Sequence, residues 1–251
     1  MSNNTDRNHL LRIGILFHGN KIWLSEIISY LIAALVLGVL LAMGIKVLKN
    51  ELTQTHLAKS IHTLQAEKVE SENILTILQE KVRIHTIIST FAKKRVSDST
   101  ILALTDLLHT NSRQFGYDPL LLLAVMKVES VFDPGAKGRF RSGDLSGALG
   151  LMQLKFATAQ ETAKMLKMPP LSEEDLLKPD INMLLGTAYL TKLISRFRSF
   201  KLGIIAYNIG PEKVKESMRN KEKLPMTYYK KVLQAYFTMN NYLQTVTKTL
   251  P

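Results

Sequence analysis

Residues Ile27 to Ile45, "IISYLIAALVLGVLLAMGI", run for 19 positions without a charged side chain. A helix of about 20 apolar residues crosses a hydrocarbon core about 30 Å thick. Inside lipid the backbone must satisfy its own hydrogen bonds, so helix is the form such a segment takes. Trp23 and Tyr30 fall near one interface, and Lys21 and Lys46 bracket the run. A cleaved signal peptide is the competing reading. The run exceeds the usual ~7–15 residue apolar stretch of such peptides, however, and a convincing A-x-A cleavage site followed by a mature start is missing. The pattern predicts a short N-terminal segment over 1–24 and an uncleaved transmembrane anchor over 25–48. Charges do not set its orientation, because Arg7, Arg12 and Lys21 on one side face Lys46, Lys49 and Lys59 on the other.

The next segment, 49–95, is predicted to be a helical stalk. From Glu51 to about Lys94 the chain holds no proline or glycine. Leu57, Ile61 and Leu64, then Leu75, Leu78 and Val82, share one heptad register, interrupted by Lys68 and Ser71. Two readings fit equally: a coiled coil that would pair two copies, or an amphipathic helix packed on its own domain. Either one spaces the remainder from the membrane.

Residues 96–251 are long enough for a core of their own. Apolar residues recur there at helical spacing: Ile101, Leu104, Leu107 and Leu108, then Leu121 to Val128, then Met183, Leu184 and Tyr189 to Ile194, then Tyr228 to Leu243. Alternating strand patterns are scarce, and glycine concentrates in "DPGAKGRFRSGDLSGALG" and "NIGPEK". The expectation is an all-α domain with one long functional loop.

Composition narrows the chemistry. Cysteine is absent, and all six histidines (His9, His18, His56, His62, His85, His109) lie in the first 109 residues. Beyond His109, therefore, a Ser-His-Asp triad, a Cys-His pair and a histidine- or cysteine-bound metal are all excluded. Carboxylates, lysines, tyrosines and hydroxyls remain. No metal and no cofactor is expected. The formal charge of +12 suits an anionic partner. The basic residues are scattered, without an arginine block or an aromatic-basic interleave, so nucleic acid is not the expected partner.

"AVMKVESVF", Ala124 to Phe132, sets one carboxylate in an apolar run. Asp118-Pro119 reads as an N-cap followed by proline at the first helical position. On the helix that follows, Glu129 shares a face with Leu122, Val125 and Met126, while Lys127 points the other way. A carboxyl on an apolar face loses hydration when charged, so its pKa rises and it becomes a candidate general acid. A tolerated helix glutamate, paired with a lysine, is the plainer reading of the same pattern. "SGALGLMQ", Ser146 to Gln153, then brings small residues that let backbone approach a ligand, and "AYNIGP", Ala206 to Pro211, sets a tyrosine beside an amide.

In this order the segments "FGYDPLLLLAVMKVESVFDPGA", "GALGLMQ", Thr158-Ala159, "DINMLLGTAYL", "AYNIGP" and "YYKKVL" resemble the catalytic domain of lytic transglycosylases of the soluble lytic murein type, over roughly Ile101 to Leu233. The resemblance implies a goose-type-lysozyme-like helical fold. It implies cleavage of the β-1,4 bond between N-acetylmuramic acid and N-acetylglucosamine in peptidoglycan, with attack by the muramyl 6-hydroxyl and a 1,6-anhydro product. Carried over position by position, it puts the acid/base on Glu129. Substrate contacts fall on Gly150, Leu151, Met152 and Gln153 around the scissile bond, on Tyr207 (close to the catalytic carboxyl), on Asn208 and on Tyr228. One carboxylate suffices when the substrate's own hydroxyl attacks, whereas hydrolases need a second.

Three departures from the family pattern stand out. "KGRFRSGDL", Lys137 to Leu145, lengthens the link after the helix, so the substrate-contacting serine is Ser142 or Ser146, with Ser146 favoured. Phe156 stands where proline is common, and "PMTYY" lacks the acidic residue often found before the last tyrosine. Two alternatives stay open: a lysozyme-like hydrolase with Asp144 as second carboxylate, and a catalytically inactive, membrane-tethered wall-binding scaffold. The expected partners are peptidoglycan glycan strands and a bacterial inner membrane crossed once, with the N-terminus cytoplasmic and the domain periplasmic. A homodimer through the stalk and an envelope-spanning assembly would fit the same layout.

Overall fold

The computed structural model of the protein describes residues 5–92 and 95–249, with side chains from Leu24 onward except those of Thr247 and Thr249. The side chains of Arg7, Arg12, Lys21 and Trp23, and all of Lys94, lie outside the described residues. The chain divides into two compact units, Met1–Glu72 and Asn73–Pro251.

The first unit consists of helix α1 (Thr5–Phe91) up to Glu72. It contains a stretch long and apolar enough to cross a membrane. Its large apolar side chains, among them Leu31, Leu35 and Leu40, are exposed, as are Leu57, Ile61 and Leu64.

The second unit begins with the last turns of α1. Ile84, Ile87 and Ile88, followed by Ala92, are buried in the domain core beside Leu122, Leu123 and Met126. Residues expected in the stalk thus belong to the domain, which starts well before residue 96. Leu75, Leu78 and Val82 remain exposed. At 100° per residue, Val82 and Ile84 sit about 200° apart, so the heptad face and the core face are opposite sides of one helix. Lys127 stacks over the Phe91 ring, 3.7 Å from its centroid, and Lys81 pairs with Asp106 at 2.8 Å.

Helix α2 (Asp98–Phe115) is capped by Ser97, whose side chain accepts from the Thr100 amide, and ends at Gly116 with φ +69°. Helix α3 (Pro119–Glu129) starts as its sequence predicts: the Asp118 carboxylate accepts from the Leu120 amide at 2.9 Å, with Pro119 at the first position. Every residue from Leu120 to Met126 is buried. A helix apolar on all sides is one surrounded by others. Around α3 pack α1, α2 and the long α8 (Thr227–Thr249). Helices α4 (Phe156–Met165), α5 (Pro179–Phe197), α6 (Phe200–Ile209) and α7 (Pro211–Arg219) complete the domain. Gly210, at φ +87°, separates α6 from the proline that opens α7.

The all-α reading holds for the helical body. The expected long loop, however, is a small antiparallel sheet in the order β1 (Lys137–Arg139), β2 (Leu145–Leu149), β3 (Leu154–Lys155). Strands of three, five and two residues are too short to print an alternating pattern.

Fully burying an isoleucine contributes about 1.5–3 kcal/mol, and a domain's whole stability is about 5–15 kcal/mol. A fragment beginning at residue 96 loses Ile84, Ile87, Ile88 and Ala92 and is expected to lack a cooperative thermal transition. A fragment beginning at Asn73 is expected to show one. Circular dichroism melts of the two fragments check this.

Candidate active site

Glu129 closes α3, where the apolar face that buries the helix also half-buries the carboxyl. Its partner is a tyrosine, not a lysine. The Tyr228 hydroxyl, from the first turn of α8, donates to Glu129 Oε1 at 2.5 Å. Burial raises the Glu129 pKa from 4.5 to about 7, and the Tyr228 hydrogen bond only partly opposes that rise. The Tyr228 hydroxyl is itself pushed well up, first by burial and then by the nearby Glu129 charge. It therefore stays a donor. With Oε1 occupied by the tyrosine, Oε2 is the oxygen that can carry a proton.

At the other end of the same helix pair, the Tyr236 hydroxyl donates to Asp118 Oδ2 at 2.8 Å. Tyr228 meets Glu129 and Tyr236 meets Asp118, so α8 runs antiparallel to α3 with a tyrosine–carboxylate bond at each end.

The segment Gly150–Gln153 forms the turn between β2 and β3. Gly150 takes φ +78°, and a Cβ there would come within 2.3 Å of Asn182 Nδ2 and of the Leu176 carbonyl oxygen. No side chain fits, so glycine is required. Leu151 and Met152, expected to line a cleft, have fully buried side chains packed in the core. What they can offer a ligand is backbone. That backbone is fixed from three directions: Ser130 Oγ donates to the Leu151 carbonyl at 2.8 Å, the Met152 amide donates to Asn182 Oδ1 at 2.8 Å, and the Tyr207 hydroxyl donates to the Met152 carbonyl at 2.8 Å. Because Ser130 follows Glu129 directly, its bond ties the carboxyl's end of α3 to this turn.

Gln153 is half-buried at φ +49°. Its Nε2 donates to the carbonyls of Ala136 (3.1 Å) and Gly150 (2.8 Å), which turns its oxygen toward Gly138. A Cβ on Gly138 would fall 2.6 Å from that oxygen and 2.5 Å from Ser146 Oγ. Ser146 and Gln153 therefore flank the same glycine. Ser142 instead sits exposed, donating to Asp144 Oδ2 at 2.7 Å, and Asp144 is exposed with it.

Tyr207 is half-buried against Tyr189, their ring centroids 5.6 Å apart. Its hydroxyl is pushed well up by burial and then by the Glu129 charge. It lies within electrostatic reach of Glu129, but the direct hydrogen bond to the carboxyl comes from Tyr228. Asn208 is exposed near the end of α6. The structure thus brings Glu129, Tyr228, Tyr207 and the Gly150–Gln153 turn into one linked network, with Ser146 beside Gln153.

Three residues of this network carry no role in the sequence reading: Ser130, Gly138 and Asn182. Asn182 is fully buried on α5 and also donates to the carbonyls of Leu149 (2.9 Å) and Leu176 (2.8 Å). The signal for it exists: a polar side chain on the apolar face of a helix, the same signal that singled out Glu129.

Residues 106–229 match the family described as the Transglycosylase SLT domain. The chain carries a transglycosylase SLT domain. Among curated proteins, the chain is similar to the soluble lytic murein transglycosylase of Escherichia coli K12, 34% identical over 100 residues covering 39% of this chain and 15% of that protein. It is also similar to the membrane-bound lytic murein transglycosylase C of Photorhabdus laumondii, 38% identical over 114 residues covering 41% of this chain and 30% of that protein. In both cases the match spans well under half of the relative's length. Among solved structures, the 70-kDa soluble lytic transglycosylase of Escherichia coli aligns with 28% identity and a TM-score of 0.45, covering 55% of this chain and 24% of that one. Every site residue described above lies within the SLT match, from Glu129 to Tyr228.

Two expectations follow for this SLT domain. Tyr228→Phe removes the bond that holds the Glu129 pKa down, so the carboxyl should titrate above about 7, read by NMR of ¹³C-labelled glutamate carboxyls. The second concerns stability. Because the folded value lies above the unfolded one, the native state binds the extra proton between pH 4.5 and about 7, and stability falls as pH rises through that window. Glu129→Gln, which mimics the protonated form, should match the wild type below pH 4.5. Above pH 7 it should be the more stable by up to about 3 kcal/mol, measured by urea unfolding at the two ends.

Proposed function

We propose that the protein is a membrane-anchored lytic transglycosylase that cuts the β-1,4 bond between N-acetylmuramic acid and N-acetylglucosamine in peptidoglycan. The observation that carries this reading is the half-buried Glu129 carboxyl, with a pKa of about 7 and a tyrosine as its hydrogen-bond partner. A group with that value is available at neutral pH both as acid and as base. Glu129 protonates the glycosidic oxygen as the C1–O4 bond breaks. The resulting carboxylate then takes the proton from the muramyl 6-hydroxyl as its oxygen bonds to C1. No water is consumed and the product ends in a 1,6-anhydro ring. Tyr228 orients the carboxyl throughout. Ser146, Gln153, Tyr207 and Asn208, with the backbone of Gly150, Leu151 and Met152, hold the sugars.

The similarity to proteins named lytic murein transglycosylases, soluble and membrane-bound, supports the substrate class. The helix long and apolar enough to cross a membrane supports the anchor. A substrate outside the inner membrane requires the N-terminus on the cytoplasmic side and the domain on the other. The exposed position of Asp144, whose carboxylate is held by Ser142, speaks against a second catalytic carboxylate there.

Mass spectrometry of peptidoglycan digested by the full chain should find 1,6-anhydromuramyl ends; reducing ends instead would defeat the proposal. Glu129→Gln should slow digestion by about 10²–10⁴-fold, the usual contribution of a positioned acid–base group. Asp144→Asn should digest at close to the wild-type rate.

A further inference from the structure

The hairpin joining β1 and β2 is more carefully built than a connection needs to be. Its turn is closed by the Phe140 amide donating to the Asp144 carbonyl at 2.9 Å and by the Gly143 amide donating to the Phe140 carbonyl at 3.0 Å. Gly143 supplies φ +94°, a value side chains rarely adopt. Arg139 Nη1 turns back to the Gly143 carbonyl at 2.7 Å, and Ser142 holds Asp144. The tip so ordered buries almost nothing. Phe140 is 58% exposed and Leu145 57% exposed, and Arg141 is exposed beside them with no ion-pair partner among the described residues. An ordered turn that displays an aromatic ring and an uncommitted cation is not explained by folding.

Its base does have a neighbour. Gly138 is seated against Ser146 and Gln153, the two side chains proposed to contact the glycan next to Glu129. β1 ends at Arg139, opposite Leu145, so Arg141 lies in the turn at the tip, at most about 10 Å along the chain from Gly138. A sugar ring touching Ser146 and Gln153 sits toward the base of the hairpin, and a substituent projecting from that ring toward the tip would meet Arg141. In peptidoglycan the muramyl residue carries a peptide stem ending in carboxylates.

We propose that this hairpin reads the peptide stem of the substrate: Arg141 binds a stem carboxylate, and Phe140 covers the apolar part of the stem beside it. The hairpin would then set a preference for peptide-bearing over bare glycan. This rests on peptidoglycan being the substrate, and it concerns binding rather than the cleavage step.

Binding is therefore the readout, in the full chain carrying Glu129→Gln so that the polymer survives. Co-sedimentation is measured with intact sacculi, with glycan strands stripped of peptide by an amidase, and with vesicles containing anionic phosphatidylglycerol. Arg141→Ala should weaken binding to intact sacculi by about threefold, the scale of one exposed ion pair, and leave binding to stripped strands unchanged. Phe140→Ala should likewise weaken binding to intact sacculi only. Arg141→Lys should restore most of the loss, and high salt should erase the Arg141 difference. Thermal melts equal to those of the parent confirm that these surface changes leave the fold intact. Equal losses on stripped strands, no loss on sacculi, or a loss seen on vesicles instead would each overturn the proposal. Failure of the wild type to release anhydro ends would remove the catalytic reading alone, since the binding comparison does not depend on cleavage.

Discussion

The bond from Tyr228 to Glu129 joins the end of the central helix to the start of the last one, and it sits where two opposing effects meet. Burying a carboxyl disfavours its charged form, while a hydroxyl donating to it favours that form. Here burial prevails, and the pKa settles near 7 instead of near 4.5. A lysine in place of the tyrosine would bring an opposite charge and hold the carboxyl ionised. The same pair also sets geometry. Because Tyr236 holds Asp118 at the other end of α3, α8 cannot slide along α3 without breaking a bond at both ends.

The Gly150–Gln153 turn depends on that frame. Its backbone is fixed by polar side chains set among apolar ones: buried Ser130 from the end of α3, buried Asn182 from α5 and half-buried Tyr207 from α6. Asn182 uses its oxygen once and its nitrogen twice, so a fully buried amide leaves little of its capacity unmet. Polar groups inside a core cost free energy unless they are satisfied, and satisfied ones fix a single arrangement. The turn gains its position from helices that are far apart in sequence, which is why it needs glycine at Gly150 and tolerates φ +49° at Gln153.

This division explains what could be read without coordinates. Periodicity and capping are local, so the apolar run from Ile27, the Asp118-Pro119 start of α3 and the oddity of Glu129 were all legible. Leu120–Met126 read as helix because its apolar residues are continuous and its cap is explicit. The small sheet was not legible, since its strands are shorter than the pattern that would reveal them. Nor was the contact between Tyr228 and Glu129, 99 residues apart, for which the residues alone offered no spacing rule. Leu151 and Met152 show a different limit. Their place in a recognisable motif suggested side chains at a cleft, yet the motif records a backbone path whose apolar side chains are anchored beneath it. The end of α1 shows a third. One stripe of the helix followed a heptad while the opposite one entered the domain core, and a reading that asked only whether the segment was stalk or domain could not return both.

Among the described residues no second carboxylate hydrogen-bonds into the Glu129 network, and on the proposed reading that solitude becomes a chemical constraint. In the usual glycosidase schemes hydrolysis uses a second carboxylate, either to activate water or to form a glycosyl intermediate. A reaction in which the leaving oxygen takes the proton and the substrate's own hydroxyl returns one asks for a single group that changes role between steps. Such a group works best when neither form is strongly preferred, and a carboxyl poised near neutrality meets that condition. The same burial that raises its pKa makes the ionised form costly, and Tyr228 limits that cost after the proton has left. On the proposed mechanism, with the tyrosine on Oε1, one oxygen would serve orientation and the other proton transfer. Acid and base would then be the same atom at two moments, as the proposed intramolecular attack across a single face of the sugar asks.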